Sequence, residues 1–535
     1  MIPLFMSLKV AVRVVVAAVV VSFTSPVFSA APGVHELVSQ FDPVNYSNIL
    51  ANALFTRQYH NRFAVTGAHH DLCRDSIYTQ FVNAGFSPTY DWFQFQDSNN
   101  VTRTACNVIA VKQGVLKPDE IFVAGAHYDS KMNPGADDNA TGVAAILEMA
   151  RIFNQYHFAR TIVFVAFDCE EIYEYGGARR RIGSTYYVQQ HLEDNMLGMV
   201  SVDMIGHEAS STPNTAWLYG YASSEPVTNR LAPALITYGG LEVGLRTTSP
   251  NLSDHVAFAN AGFPACLLIE AAFSTDNPFY HKSGDFVDQP GNISWNYANK
   301  MAKGALGYFA GEIQPVDIAP TGLEPAPLAG GGLRLNFSGL SNCVYAIEVS
   351  TDLSQNTWTP VSTNTAGPGG MFWFDDVNSA SKSRAFYRAR FVSGATSTRP
   401  VEIVLDNSAA VFNGSWTTGA SSTDKFGADY RFAELPTDSY AEYRPNITVA
   451  GNYKLYEWHP QGTNRTTNAP VQIHSLSGTQ TLSVNQRING GKWNLLGTFN
   501  FTTGTSGYVR ITDDFPAGSG NVVLADALRF VLETP

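Results

Sequence analysis

Cysteine is scarce in this chain. Five residues in 535, Cys73, Cys106, Cys169, Cys266 and Cys343, exclude a disulfide-stapled scaffold, and the odd number leaves at least one thiol free. Export still permits one bridge, and Cys73 with Cys106 is the expected pair, since both lie in the amino-terminal part, outside the ligand-bearing segments described below. Charge is also sparse, at 15% of residues, and basic groups are outnumbered, 34 Lys and Arg against 46 Asp and Glu. A formal charge of −12 argues against nucleic acid as a partner. Long apolar runs are missing too. The uncharged stretch from Val14 to Phe23 falls short of the roughly 20 residues a spanning helix needs, and no other segment approaches it. It follows Lys9 and Arg13 and precedes SFTSPVFSAAPG, the order of a secretory signal peptide cut near Ser29 or Ala30. Its removal takes the formal charge from −12 to about −14.

Short apolar runs, by contrast, are abundant, and several end in potential metal ligands. IFVAGAHYD (from Ile121) ends in His127 and Asp129. GADDNATG (Gly135 to Gly142) contains Asp138. TIVFVAFDCEE ends in Glu170 and Glu171, GMVSVDMIG carries Asp203, and NPFYHKSGD, after ACLLIE, carries His281. Runs of about four to eight residues rich in Val, Ile and Phe are those of strands buried on both faces. An open parallel sheet gathers residues distant in sequence beyond the carboxyl ends of its strands. Mixed imidazole and carboxylate donors at those ends read as a two-metal hydrolase, in which a shared carboxylate holds the ions about 3.5–4 Å apart.

HYD, GADDNATG, the EE pair, VDMIG and YHKSGD, in that order from about Asn107 to Phe309, resemble the zinc aminopeptidases of the M28 type. The resemblance implies two zinc ions bridged by Asp138, with His127 and Asp203 completing one site and Glu171 and His281 the other. It further implies that Glu170 is the general base and that Asp129 orients His127. Tyr280 resembles the tyrosine that in some members hydrogen-bonds the developing oxyanion. Ser253-Asp254-His255 matches a segment near the pocket in that family and is not a serine triad, because consecutive positions cannot converge on one reacting atom.

This chain departs from the pattern at two places. IYEYGGARRRI is inserted between the EE pair and Gly183-Ser184, which puts Arg179, Arg180 and Arg181 either at the rim of the cleft or in a solvated turn. Cys169 stands where a small residue is common and is expected to be a buried thiol, not a ligand.

Composition changes after Gly311. The expected organisation is a signal peptide over 1–30, an α/β domain over 31–313 with a mixed, mostly parallel sheet flanked by helices, and a Pro/Gly linker over 314–332. Two β-sandwich domains follow, over 333–396 and 401–535. The first is similar to fibronectin-like modules; the second resembles the golvesin-type C-terminal domain also found on xanthan lyases, which implies an accessory module contacting polysaccharide, cell surface or protein. Trp358 and Trp373 either meet a carbohydrate face or pack. Trp458 and Trp493 are expected to be structural, and Asn464-Arg465 offers contact residues.

Together the resemblances imply a secreted, two-zinc aminopeptidase in which a hydroxide generated between the ions attacks the first peptide carbonyl and Glu170 carries the proton. Rival readings are a carboxypeptidase of the same fold, separable with blocked peptides, and a glutaminyl cyclase, disfavoured by the presence of both His127 and Asp203. The last rival is a non-catalytic surface-binding protein.

Overall fold

The computed structural model describes residues 31–173, 181–247, 252–270, 277–395, 402–422, 424–427, 429–434, 438–447 and 449–533. The expected signal peptide and Arg179 and Arg180 lie outside them. Eight strands form the first sheet: β1 Thr89–Gln96, β2 Thr102–Lys112, β3 Lys117–His127, β4 Arg160–Phe167, β5 Met196–Val202, β6 Thr215–Gly220, β7 Glu242–Arg246 and β8 Ala265–Ile269. Their order across the sheet is β1-β2-β4-β3-β5-β8-β6-β7. The four central strands, β4, β3, β5 and β8, are parallel; β2 joins one side of this block and β6 the other, each antiparallel to its neighbour there, and β1 pairs antiparallel with β2 whereas β7 pairs parallel with β6.

Side-chain alternation explains why these runs are apolar throughout. Phe122, Ala124 and Ala126 of β3 and Ile162, Phe164 and Ala166 of β4 face one core, which also takes the helices His70–Asn83, Thr141–Phe153 and Trp295–Ile313. Val123, Val163, Val165 and Phe167 face the other, beneath Tyr187, Val188 and Phe258 of two shorter helices. A strand with helices on both faces has no solvent side, so the period of two disappears from its hydrophobicity. Each large apolar side chain fully buried in this way contributes about 1.5–3 kcal/mol. All four parallel strands end at the same edge, and there the chain delivers His127, Asp168 to Glu171, Asp203 and Glu270.

The cysteines do not pair. All five are free and buried. Cys73 sits on its helix against the Leu54 carbonyl and the Arg62 guanidinium, each 3.7 Å away, whereas Cys106 lies within β2 and is directed to the Asn107 carbonyl at 3.2 Å. Different elements fix the two thiols in separate packing, and the expected bridge is absent.

The Pro/Gly stretch 314–332 is not a free linker. Pro315–Val316 pairs with His157–Phe158 of the first domain, and Thr321–Pro327 is an edge strand paired with Leu333–Ser338. An edge strand tolerates Pro325 and Pro327 because ladder donors are not required on its open side. The glycines make the hairpin turn, in which Leu328 N–H donates to the Gly332 carbonyl.

Two three-stranded sheets then close over Leu335, Phe337, Tyr345, Ile347 and Phe372. The last module buries Tyr453, Val471, Ile473, Val509 and Phe530 between further antiparallel sheets. Trp458 packs edge-on against Phe426 and Trp493 and donates to the Asp424 carbonyl, a structural role. Trp358 is half-buried beneath Arg388, but Trp373 is 54% exposed on the outer face beside Arg334. No helix among the described residues is long and apolar enough to cross a membrane.

Candidate metal centre

The loop after β3 brings Asp138 over the strand ends, and Asn139 ties it there. Asn139 donates through Nδ2 to the Val202 carbonyl at 2.8 Å and accepts through Oδ1 from the Gly142 and Met204 N–H groups at 3.0 and 3.1 Å. A side chain at Gly142 would collide with the Val202 carbonyl, so only glycine lets the following helix start this close to β5. Asp285 fixes the loop from the other side, accepting the Asp137 and Asp138 N–H groups at 2.8 and 3.2 Å.

Asp138 thereby presents its two oxygens in different directions. Oδ1 is 3.3 Å from His127 Nε2, which is 3.4 Å from Asp203 Oδ1. Oδ2 is 3.1 Å from His281 Nε2, which is 2.9 Å from Glu171 Oε1. Each set of three donors lies within 4.8 Å, as do donors of His127, Glu170 and Glu171. The five residues expected as ligands and the expected base thus come together, with Asp138 common to two sets. Separations of 2.9–3.4 Å match the edge, roughly 3.3 Å, of a tetrahedron with the bonds of about 2.0–2.1 Å that zinc makes to nitrogen and oxygen.

The electrostatics fit a cation there. Asp203 Oδ2 accepts from Ser253 Oγ at 2.6 Å, while its buried Oδ1 faces His127 Nε2 and the centre without a well-aligned hydrogen bond. Burial pushes Glu171 up to about 7, with the Asp138 charge adding to it. Burial also pushes the imidazoles down, but the surrounding carboxylates outweigh it, lifting His281 to about 9 and His127 well above its ordinary range. Asp138 is held well below its own range, where the two imidazoles outweigh burial. These shifts show what the site demands: positive charge between the donors, which protons or metal can supply, and only neutral imidazole can ligate.

Asp129 lies beside His127, where an orienting carboxylate is expected, and makes further contacts. His127 Nδ1 lies 3.1 Å from the Asp129 main-chain carbonyl and 3.4 Å from its Oδ1. The carboxylate also accepts the Glu170 N–H at 3.0 Å and the Glu171 N–H at 2.9 Å. One buried group therefore sets both glutamates, a consequence of β3 and β4 being adjacent and parallel. An asparagine can accept only one of those bonds and turns an amide donor on the other. Asp129→Asn is expected to lower kcat/KM about 10–100-fold, with weaker zinc retention. Kinetics and metal analysis of the same preparation check it, and wild-type values for both would contradict this role.

Other residues important to the geometry were not singled out from the sequence. Asn139 and Asp285 lie inside quoted motifs, but their work is on backbone N–H groups, which side-chain patterning does not reveal. Ser253, set aside as a nucleophile, supports Asp203. Behind it, Asp137 and Glu270 are buried beside each other and linked through Asn277. Burial and then the Asp285 charge raise Asp137 to about 8, and burial and Asp137 raise Glu270 well above the usual carboxyl range. Asp168 accepts from His70, Tyr128 and the Cys106 and Cys169 N–H groups and anchors the end of β4. Cys169 is a buried thiol. Tyr280 is half-buried, stacked on the His281 ring at 3.8 Å between centroids. Arg181 is neither at the rim nor in a solvated turn: it is 6% exposed, and its charge, after burial, helps drive His255 down to about 3.

Comparison with known proteins adds the family context. Residues 107–309 match the family model described as Peptidase family M28, and residues 403–532 match the Golvesin C-terminal domain. Among curated proteins, the chain is 32% identical over 205 residues to xanthan lyase of Bacillus sp. (strain GL1), covering 36% of this chain and 22% of that protein. It is 32% identical over 197 residues to aminopeptidase YwaD of Bacillus subtilis (strain 168), covering 35% of this chain and 40% of that one. The chain thus spans less than half the length of these relatives. A solved structure, LapB from Legionella pneumophila, overlays with a TM-score of 0.44 at 27% identity, over 52% of this chain and 74% of the other.

Proposed function

With residues 107–309 matching peptidase family M28 as the premise, we propose that this chain is a secreted zinc aminopeptidase that removes the first residue of peptides. The observation that carries the reading is the division of Asp138, one oxygen toward His127 and Asp203 and the other toward Glu171 and His281. In this reading His127, Asp138 and Asp203 would hold one zinc ion, and Asp138, Glu171 and His281 would hold a second. When bound, zinc lowers the pKa of water and polarises a carbonyl.

The chain's own residues do the rest. Glu170 is placed by Asp129 next to the donors, where it takes the proton of the attacking water and returns it to the leaving amine. Tyr280 offers its hydroxyl to the oxygen that gains charge in the transition state. Ser253, Asn139 and Asp285 keep the donors fixed, so little reorganisation accompanies the reaction. The wholly parallel centre of the sheet supports this role by collecting the groups at one edge.

Export rests on the basic, apolar and small-residue order of the first 30 residues. The C-terminal modules are proposed to attach the enzyme to polysaccharide, cell surface or another protein, and exposed Trp373 presents a flat apolar face suited to a sugar ring.

Leucine p-nitroanilide with a free amino group is expected to be hydrolysed, its N-acetylated counterpart not, and a chelator should abolish the reaction until zinc is restored. Equal cleavage of both compounds, or activity indifferent to the chelator, would contradict the proposal.

A further inference from the structure

A cavity of about 490 Å³ opens beside the metal centre, and Glu171 is among the residues lining it. Its walls are mainly apolar: Phe63, Ala64, Val65, Met132, Ile172 and Tyr173. Ile172 and Tyr173 begin the inserted segment, so this wall belongs to the part of the chain that departs from the family pattern. Two of the walls are large apolar side chains left in solvent, Met132 at 69% and Tyr173 at 44% exposure. Both line the same cavity, so their exposed area joins its apolar walls in one surface of the kind that marks a binding site. The backbone points the same way. Val65 and Met132 have φ of 67° and 53°, a left-handed conformation that is unfavourable for a side-chain-bearing residue and most of all for a β-branched one. Such residues concentrate at ligand-binding positions.

Charge decides which part of a peptide fits. Lys131 donates to the Glu171 carbonyl at 2.8 Å and lies over the Tyr173 ring at 5.1 Å. Arg103 pairs with Asp97 at 2.8 Å. With Glu171 given to the centre, the described residues of the rim carry two cations against one anion, and that anion is already paired. Among the described residues a substrate's free α-ammonium meets no unpaired carboxylate here, whereas an uncharged apolar side chain desolvates both itself and the walls.

We propose that this pocket receives the apolar side chain of the peptide's second residue, on the leaving side of the scissile bond. The inference rests on the aminopeptidase reading. Selectivity then depends on the residue after the cut as well as on the one removed, and short peptides with a bulky second residue are the preferred substrates.

The test compares initial kcat/KM for Leu-Phe-amide and Leu-Gly-amide, with leucinamide, which has no second residue, reporting the aminopeptidase reading separately. The wild-type protein is expected to favour Leu-Phe-amide by roughly ten-fold or more, within the range a hydrophobic pocket supplies. Tyr173→Ala combined with Met132→Glu, at two exposed positions, should bring that ratio close to one. A ratio near one in the wild type, or one unchanged in the double variant, overturns the pocket while leucinamide turnover still supports the enzyme. If leucinamide is not hydrolysed, the aminopeptidase reading falls and calorimetry on the zinc-loaded Glu170→Gln protein decides the pocket. Tighter binding of Leu-Phe-amide than of Leu-Gly-amide, lost with the two pocket substitutions, upholds it, and equal binding overturns it.

Discussion

Glu170→Gln is expected to lower kcat by about 10²–10⁴-fold, the range over which a positioned general base acts, while zinc content stays at the wild-type level and KM changes little. Glutamine keeps the shape of glutamate and its main-chain bond to Asp129, but its amide cannot take a proton near neutral pH. The donor atoms assigned to the metal belong to other residues, so binding survives and only proton transfer fails. Steady-state kinetics with metal analysis on one preparation separate the two effects. A variant that loses zinc together with activity would make Glu170 a ligand, and one that keeps full activity would move the base elsewhere.

Asp138→Asn should have the larger effect, because one residue serves both donor sets. Asparagine retains a single oxygen, so either the His127 and Asp203 side or the Glu171 and His281 side loses its third donor. Loss of at least one zinc ion is expected, with kcat/KM falling by about three orders of magnitude or more, since a catalytic metal supplies several kcal/mol and each ~1.4 kcal/mol is tenfold. Added zinc should restore little, because the missing oxygen is a matter of geometry and not of concentration. Recovery of most activity at millimolar zinc would mean that the shared carboxylate is not required.

Strand-end chemistry made the gathering of these donors legible in the sequence. His127, Glu171 and Asp203 each close an apolar run, and runs buried on both faces stand out in composition, so their parallel pairing and common edge could be expected. The alternation along β3 and β4 confirms why those runs have no polar period. What supports the centre was less visible. Asp129, Asn139 and Asp285 bind main-chain N–H groups whose position depends on turns, and a turn is not written in hydrophobic periodicity. Arg181 read as a rim or solvated-turn residue because short basic runs are usually exposed, yet it is buried, close enough to His255 for its charge, after burial, to help push that imidazole down. The stretch 314–332 read as a linker from its proline and glycine, and those same residues suit an edge strand and a tight hairpin when a neighbouring sheet is available. Cys73 and Cys106 illustrate the same limit, since only tertiary packing determines whether two thiols meet.

The central claim is that Asp138 is shared between two zinc ions. It is tested most directly by the zinc content of the purified full chain, measured by inductively coupled plasma mass spectrometry as activity is restored by stepwise addition of zinc to chelator-treated protein. The account predicts two zinc ions per chain at full activity and a reduced content in Asp138→Asn. Full activity with a single zinc ion per chain, or an active preparation holding none, would contradict it.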